Sequence, residues 1–159
     1  MKVYTMRFAQ NLPISMEEAW NFFSSPRNLT RITPSMGFHI TSDLDEKQKM
    51  YSGMLIGYKI TPLMGIRMNW LTEITYIEHH KYFIDEQRSG PFSLWHHEHH
   101  FRQIERGIKM TDILSYGIPF GPIGRIANSL VVKNRILDIF SFRKLKIDEI
   151  FGEYQRGLD

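Results

Sequence analysis

The sequence predicts an α+β domain in which a curved seven-stranded antiparallel sheet grips one long C-terminal helix, with two short helices after the first strand. Three observations carry that expectation. The N-terminal stretch alternates with period two, a run of strand-like segments from Phe38 to Tyr116 is joined by short turns, and a helical pattern fills the C-terminal quarter. At 159 residues the chain is expected to form a single domain, residues 1–159, long enough to enclose a core or a cavity.

The elements follow in order. Residues 2–12 place Val3, Thr5, Arg7 and Ala9 on one face and Tyr4, Met6 and Phe8 on the other, as a strand does. Pro13 ends it, and Ser15 with Glu18 three residues on forms a capping box for a first helix, with Ile14 and Ala19 placed for a weak hydrophobic staple. A second short helix is expected from Ser25, with Pro26 at its first position and Pro34 as its stop. Strands are expected near 38–43, 49–58, 66–77, 81–88, 92–104 and 108–117. Their connections "DLDE", "TPLMG", "EHH", "SGP" and "ERG" are too short for parallel crossovers, so neighbours run antiparallel. After "YGIPFGPIG", a long helix is expected to run to about Tyr154, with Ile126, Leu130, Leu137, Phe140, Ile147 and Phe151 on one arc. Between a curved sheet and a single helix, one layer of side chains leaves space, and a cavity is the expected result.

Composition removes several classes of function. The 20 basic and 17 acidic residues are scattered, with no dense Lys/Arg run, so nucleic acid is not an expected partner. The absence of cysteine excludes disulfides, thiolate metal sites and a cysteine nucleophile. No stretch is apolar for long enough to span a membrane, so no integral membrane association is expected. The first residues lack a signal-peptide core, so a cytoplasmic location is expected. The glycines at 117–124 lack the Lys-Ser/Thr of a phosphate loop; they are expected to shape the turn into the helix and the mouth of the cavity. A homodimer through an edge strand is compatible with the pattern, which does not demand one.

The stretch "GPFSLWHHEHHF" is the most chemically loaded. Alternation puts Trp95, His97, His99 and Phe101 on one face, read as inward, and His96, Glu98, His100 and Arg102 on the other. His79 and His80 fall in a turn. Neighbouring strands offer Asp85 and Gln87 on one side and Asp112 and Tyr116 on the other, so Asp85, Gln87, His97, His99, Asp112 and Tyr116 form one polar band flanked by Trp70, Trp95 and Phe101. These nine residues are the candidate ligand-binding set. The inward histidines have four readings: a satisfied polar ladder, a ligand contact, acid–base catalysis with His97, His99 and Asp112 as candidates, or a metal site. No established metal-ligand spacing is present, so no metal and no cofactor is expected. Met50, Met54, Met64, Met68 and Met110 read as gap-fillers or as a pliable lining. Lys133, Arg135, Arg143, Lys144 and Lys146 read as a solvated face of the last helix.

The segments "PISMEEAWNFFSSPRNLTRITP", "FIDEQRSGPFSLWHHEHHF", "MTDILSYGIPFGPIG" and "ILDIFSFRKLKI" together resemble the SRPBCC superfamily, the START-like, helix-grip fold of polyketide cyclase/dehydrase-like proteins and birch pollen allergens. The motif D-x-Q-x-x-G-P-F-x-x-W-x-H-x-H-x-F is met by Asp85, Gln87, Gly90, Pro91, Phe92, Trp95, His97, His99 and Phe101. The resemblance implies a deep hydrophobic cavity between sheet and helix and a small hydrophobic, lipid-like or polyketide-like partner. It implies no single activity, since members also catalyse cyclisation or dehydration or bind proteins. Small-ligand binding is therefore the leading expectation. A cyclase/dehydratase with a His–carboxylate pair and an interaction domain with a vestigial cavity are the alternatives.

Overall fold

The computed structural model describes residues 1–34, 38–45, 47–61 and 67–155. Glu46, Met64 and the rest of the "PLMG" connection lie outside the described residues, as does Ile66, where the strand at 66–77 is expected to begin. Seven strands form one antiparallel sheet: β1 (Val3–Leu12), β2 (His39–Ile40), β3 (Met54–Ile60), β4 (Met68–Glu78), β5 (Tyr82–Ser89), β6 (Leu94–Ile104) and β7 (Gly107–Gly117). Their order is β1-β7-β6-β5-β4-β3-β2, a meander from β2 to β7 onto which the first strand adds last. Shifts of register between β4 and β5, at Leu71/Thr72 and Ile74/Tyr76, bend the sheet where β5 approaches the site.

The short helices begin where their caps dictate. Ser15 accepts a hydrogen bond from the Glu18 amide at 3.1 Å and opens α1 (Met16–Phe23). Pro26 takes the first position of α2 (Pro26–Leu29), where its missing N–H costs nothing. The buried face of α1, Ala19, Trp20, Phe22 and Phe23, closes one end of the sheet against Phe83, Phe101, Met110 and Ile147.

Two expected strands are shorter or shifted. The strand expected at 38–43 keeps only His39 and Ile40, because the Ser42 hydroxyl takes the Gly57 N–H at 2.7 Å and replaces the ladder. The strand expected from 49 starts at Met54. Met50 donates its N–H to Ser24 beyond α1, and Gly53, at φ 88°, turns the chain just before the strand.

The C-terminal helix runs as α3 (Gly121–Ala127), a π-helical turn (Asn128–Val132) and α4 (Lys133–Phe151). It therefore starts inside the glycine-rich segment expected to be loop. Gly124 is required there, since a Cβ would stand 2.0 Å from the Pro119 carbonyl oxygen. At the other end Gly152, at φ 86°, stops it directly after Phe151 and short of Tyr154.

The π turn corrects the expected apolar arc. A wider turn shifts the phase of all that precedes it, so Ile126 is 60% exposed; Leu130, within the turn, is 69% exposed, whereas Val132, Ile136, Phe140 and Ile147 are buried. Phe120 and Ile123 continue this exposed apolar strip along α3. Leu137 is also exposed, whereas Phe140 stacks flat on Phe8 of β1 with ring centroids 3.9 Å apart. Gln10 of β1 donates to Asp148 at 2.7 Å and fixes the far end of the helix.

Removing the Phe140 ring should therefore loosen helix from sheet. Phe140→Ala is expected to cost about 3–5 kcal/mol in urea unfolding, whereas Leu145→Ala on the exposed side of the same helix should change stability by less than about 0.5 kcal/mol. Equal losses in the two variants would contradict the packing described.

Candidate functional site

The inward face of β6 is as alternation predicts: His97 and His99 are buried, at 4% and 6% exposure, with Phe101 beside them. The pairing register then decides their partners. Asp85 of β5 lies directly across from His97, and Asp112 of β7 directly across from His99. Each carboxylate is thus opposite one imidazole and diagonal to the other, both within reach on one face.

The four side chains close on themselves. Asp112 Oδ1 lies 3.0 Å from His97 Nε2 and 2.9 Å from His99 Nδ1. Asp85 Oδ2 lies 2.7 Å from His99 Nε2 and 3.5 Å from His97 Nδ1. The two rings sit 3.8 Å apart, His99 stacks on Phe83, and His97 meets Phe140 edge-on.

The three short contacts carry protons and the long one does not. Burial drives His97 below the ordinary value of 6.5, the charge on His99 drives it further, and the bond to Asp112 offsets only part. His97 is therefore neutral: its Nε2–H donates to Asp112, and Nδ1 keeps its lone pair. Burial also opposes charge on His99, but bonds to Asp112 and Asp85 overcome it and raise its pKa. Burial pushes both aspartates upward, yet the histidine bonds hold them below the ordinary 3.8.

Sequence reasoning missed the fifth member. Arg143, expected on a solvated face, is only 9% exposed, with Nη1 4.0 Å from Asp112 Oδ1 and its guanidinium over the Phe140 ring. Among the described residues its Nε is a buried donor without a hydrogen-bond partner. The signal was available in the spacing, since Ile136, Phe140, Arg143 and Ile147 recur at four, three and four residues and share the buried stripe of α4. With two carboxylates, one imidazolium and one guanidinium, the cluster is electrically balanced.

Above this cluster lies a cavity of about 200 Å³. Its apolar wall includes Phe23, Leu29, Tyr58, Ile74, Val132 and Ile136, contributed by both short helices, the sheet and the C-terminal helix. Trp70, Asp85, Trp95, His97 and His99 all line it, as the sequence suggested, and Arg143 joins them. Met50 and Met110 line it too. Trp70 and Trp95 meet at right angles, centroids 5.0 Å apart.

Four candidates stand elsewhere. Asp112 lies behind the histidines and reaches the cavity through them. Gln87 is occupied by the turn at Gly90: it donates to the Phe92 carbonyl at 2.7 Å and accepts from the Phe92 amide at 3.3 Å. Phe101 packs against Trp20, Phe23 and Phe83 in the core. Tyr116 donates its hydroxyl to Asn128 at 2.9 Å, tying β7 to the π turn. Sequence alternation places these residues on the correct face but cannot say how far along it the cavity extends. The outward histidines pair with their own face, His96 with Glu86 at 2.6 Å and His100 with Glu98 at 2.8 Å. Residues 117–124, expected at the cavity mouth, are absent from its described lining.

The pKa directions fix a titration pattern. In histidine ring NMR spectra, His99 should stay protonated above pH 6.5 and His97 neutral below it. Because Asp85 and Asp112 are lowered by folding, their stabilisation is present above pH 3.8 and is lost as pH falls below it. The lowered His97 opposes folding at low pH and ceases to do so as pH rises toward 6.5, whereas the raised His99 stabilises fully below pH 6.5 and loses that share as pH rises above it, so the pair favours a stability maximum near pH 6.5. Two rings titrating together near 6.5 would contradict the assignment.

Comparison with known proteins adds the fold. No family model matches the chain, and no curated protein matches it. Solved structures do. A protein from Chromobacterium violaceum, CV1439, superposes with a TM-score of 0.68 at 9% identity, covering 94% of this chain and 98% of its own. Ginseng major latex-like protein 151 from Panax ginseng gives 0.67 at 15% identity, with 94% and 97% covered. Protein Ms6760 from Mycobacterium smegmatis gives 0.65 at 15% identity, with 94% and 96% covered. The chain has the SRPBCC, or Bet v1-like, helix-grip fold.

Proposed function

We propose that the protein binds a small, largely apolar molecule carrying one polar group, with the apolar part against Trp70, Trp95, Ile74 and Ile136 and the polar end toward His97, His99 and Arg143. The observation that carries this reading is an apolar cavity whose wall, among the described residues, is interrupted by one cluster of buried charged groups. An apolar core alone would be cheaper to build, because burying five ionisable side chains incurs desolvation that their mutual attraction at best offsets. Such a cluster at a cavity wall is what fixes the orientation of an otherwise apolar ligand.

Burying roughly 300 Å² of apolar ligand surface contributes ~7.5 kcal/mol, and association itself costs ~4 kcal/mol or more. Micromolar binding corresponds to about 8 kcal/mol net, so charge-assisted hydrogen bonds from the cluster have to supply the difference. The exposed strip of Phe120, Ile123, Ile126 and Leu130 is the observation that favours a protein-interaction role instead. The open cavity is why ligand binding is placed first. Among the described residues no helix is long and apolar enough to cross a membrane, so the reading needs no membrane-spanning segment.

Native mass spectrometry of freshly purified protein, followed by extraction, tests the proposal. A stoichiometric apolar species is expected, or saturable uptake of a fluorescent apolar probe by the ligand-free protein. Ile136→Trp, which fills the cavity, and Trp95→Ala, which removes a wall, should each weaken probe binding about tenfold or more, and Leu145→Ala should not. Probe binding that is indifferent to Ile136→Trp in folded protein would place the site elsewhere.

A further inference from the structure

We propose that Asp85, His97 and His99 form a binding site for one divalent transition-metal ion, with Asp112 as the carboxylate that orients both imidazoles. The directions of the donor atoms carry this site, which does not depend on the ligand reading above.

Asp85 Oδ2, His97 Nδ1 and His99 Nε2 converge on one side of the two tilted rings, within a cluster whose ligand atoms lie inside 4.8 Å of one another. The opposite nitrogens, His97 Nε2 and His99 Nδ1, both face Asp112 Oδ1 at 3.0 and 2.9 Å. A carboxylate that accepts N–H from both rings leaves the converging nitrogens as the ones that present lone pairs. This is the outer partner that metal-bound histidines usually have. Here one aspartate serves two rings.

The converging side is then short of positive charge. With both N–H groups spent on Asp112, two lone pairs and a carboxylate oxygen face one another, and a cation between them is needed. In the cluster as it stands, the 2.7 Å hydrogen-bond contact between His99 Nε2 and Asp85 Oδ2 fills that place. A metal ion entering there in exchange for the hydrogen of that contact would meet three donors at once. Donors each about 2.1 Å from a metal stand roughly 3–3.4 Å apart. The 2.7 and 3.5 Å separations bracket that range, so a small rotation of the Asp85 carboxylate equalises them.

The donor types define the ion. Arg143 stands 4.0 Å from Asp112 Oδ1 and its charge also reaches Asp85, so it opposes a second cation, and the three donors have to outweigh it. Two imidazoles and one carboxylate suit zinc, iron(II), cobalt or nickel, and not the all-oxygen preference of magnesium or calcium. All three ligands line the cavity, so the remaining coordination positions open toward it, where an oxygen of a bound molecule can enter. No established ligand spacing runs along the sequence, and for that reason no metal is expected from it. The set is assembled instead by an i, i+2 pair on one strand and the residue across from it on the next.

The test uses the full chain, stripped of metal by chelator and then titrated with zinc by calorimetry and with cobalt(II) by visible absorption. One equivalent is expected, with the cobalt bands of a low-symmetry nitrogen and oxygen site. Asp112→Asn should weaken binding about 10–100-fold. His99→Gln and Asp85→Asn should remove the tight equivalent, with folding verified by circular dichroism. His96→Ala with His100→Ala, on the outer face, should leave it unchanged. Wild-type protein that takes up no equivalent at millimolar metal would overturn the proposal outright. So would an equivalent lost with His96 and His100 but kept in Asp85→Asn, because it would be adventitious binding on the outer face.

Discussion

The arrangement from which the rest of the interior follows is the ring of contacts joining Asp85, His97, Asp112 and His99, with Arg143 at its edge. Charged groups this deep survive only when each finds a partner, so the register of three strands must be held to the residue. A slip of one position in β6 would turn both histidines to the outer face and set Glu98, with either His96 or His100, against Asp85 and Asp112, so three carboxylates would meet a single imidazole. The antiparallel register of β5, β6 and β7 is therefore what allows the buried ring to close.

The same constraint explains the cavity. Helix α4 must approach near enough for Arg143 to reach Asp112, and Phe140 stacks on Phe8 to set that distance. Toward β3 and β4 the curved sheet falls away from the helix, and the space there is bounded by Tyr58, Ile74, Trp70 and Ile136. Tyr116 and Asn128 anchor the helix just where the π turn changes its phase, which keeps Val132 and Ile136 over the cavity. Packing at both ends leaves the middle open beside the charged ring.

Much of this was legible in the sequence because it rests on local rules. Period-two alternation identifies His97 and His99 as inward and His96 and His100 as outward, and short turns force the antiparallel meander that brings Asp85 and Asp112 alongside. Capping at Ser15 and Pro26 locates both short helices. What was not legible depends on distance along the sheet or on a change of phase. Gln87, Phe101 and Tyr116 lie on the expected face, yet the turn, core and helix contacts claim them. The π turn breaks the single 3.6-residue arc, so a reading with one period puts Ile126 and Leu130 on the wrong side. Charge alone assigns Arg143 to solvent, although its spacing from Phe140 and Ile147 sets it in the apolar stripe.

The central claim is that the buried charged ring exists for what the cavity holds and not for the stability of the fold. Equilibrium urea unfolding of two variants tests it directly: Asp112→Leu alone, and a variant in which Asp85, His97, His99, Asp112 and Arg143 are all replaced by apolar residues of similar volume. Breaking the ring at one member should cost about 3–5 kcal/mol, because it strands buried charge, whereas replacing the whole ring should cost much less or even stabilise. A full replacement that loses as much stability as the single change, or more, would make the ring a structural element and contradict the account.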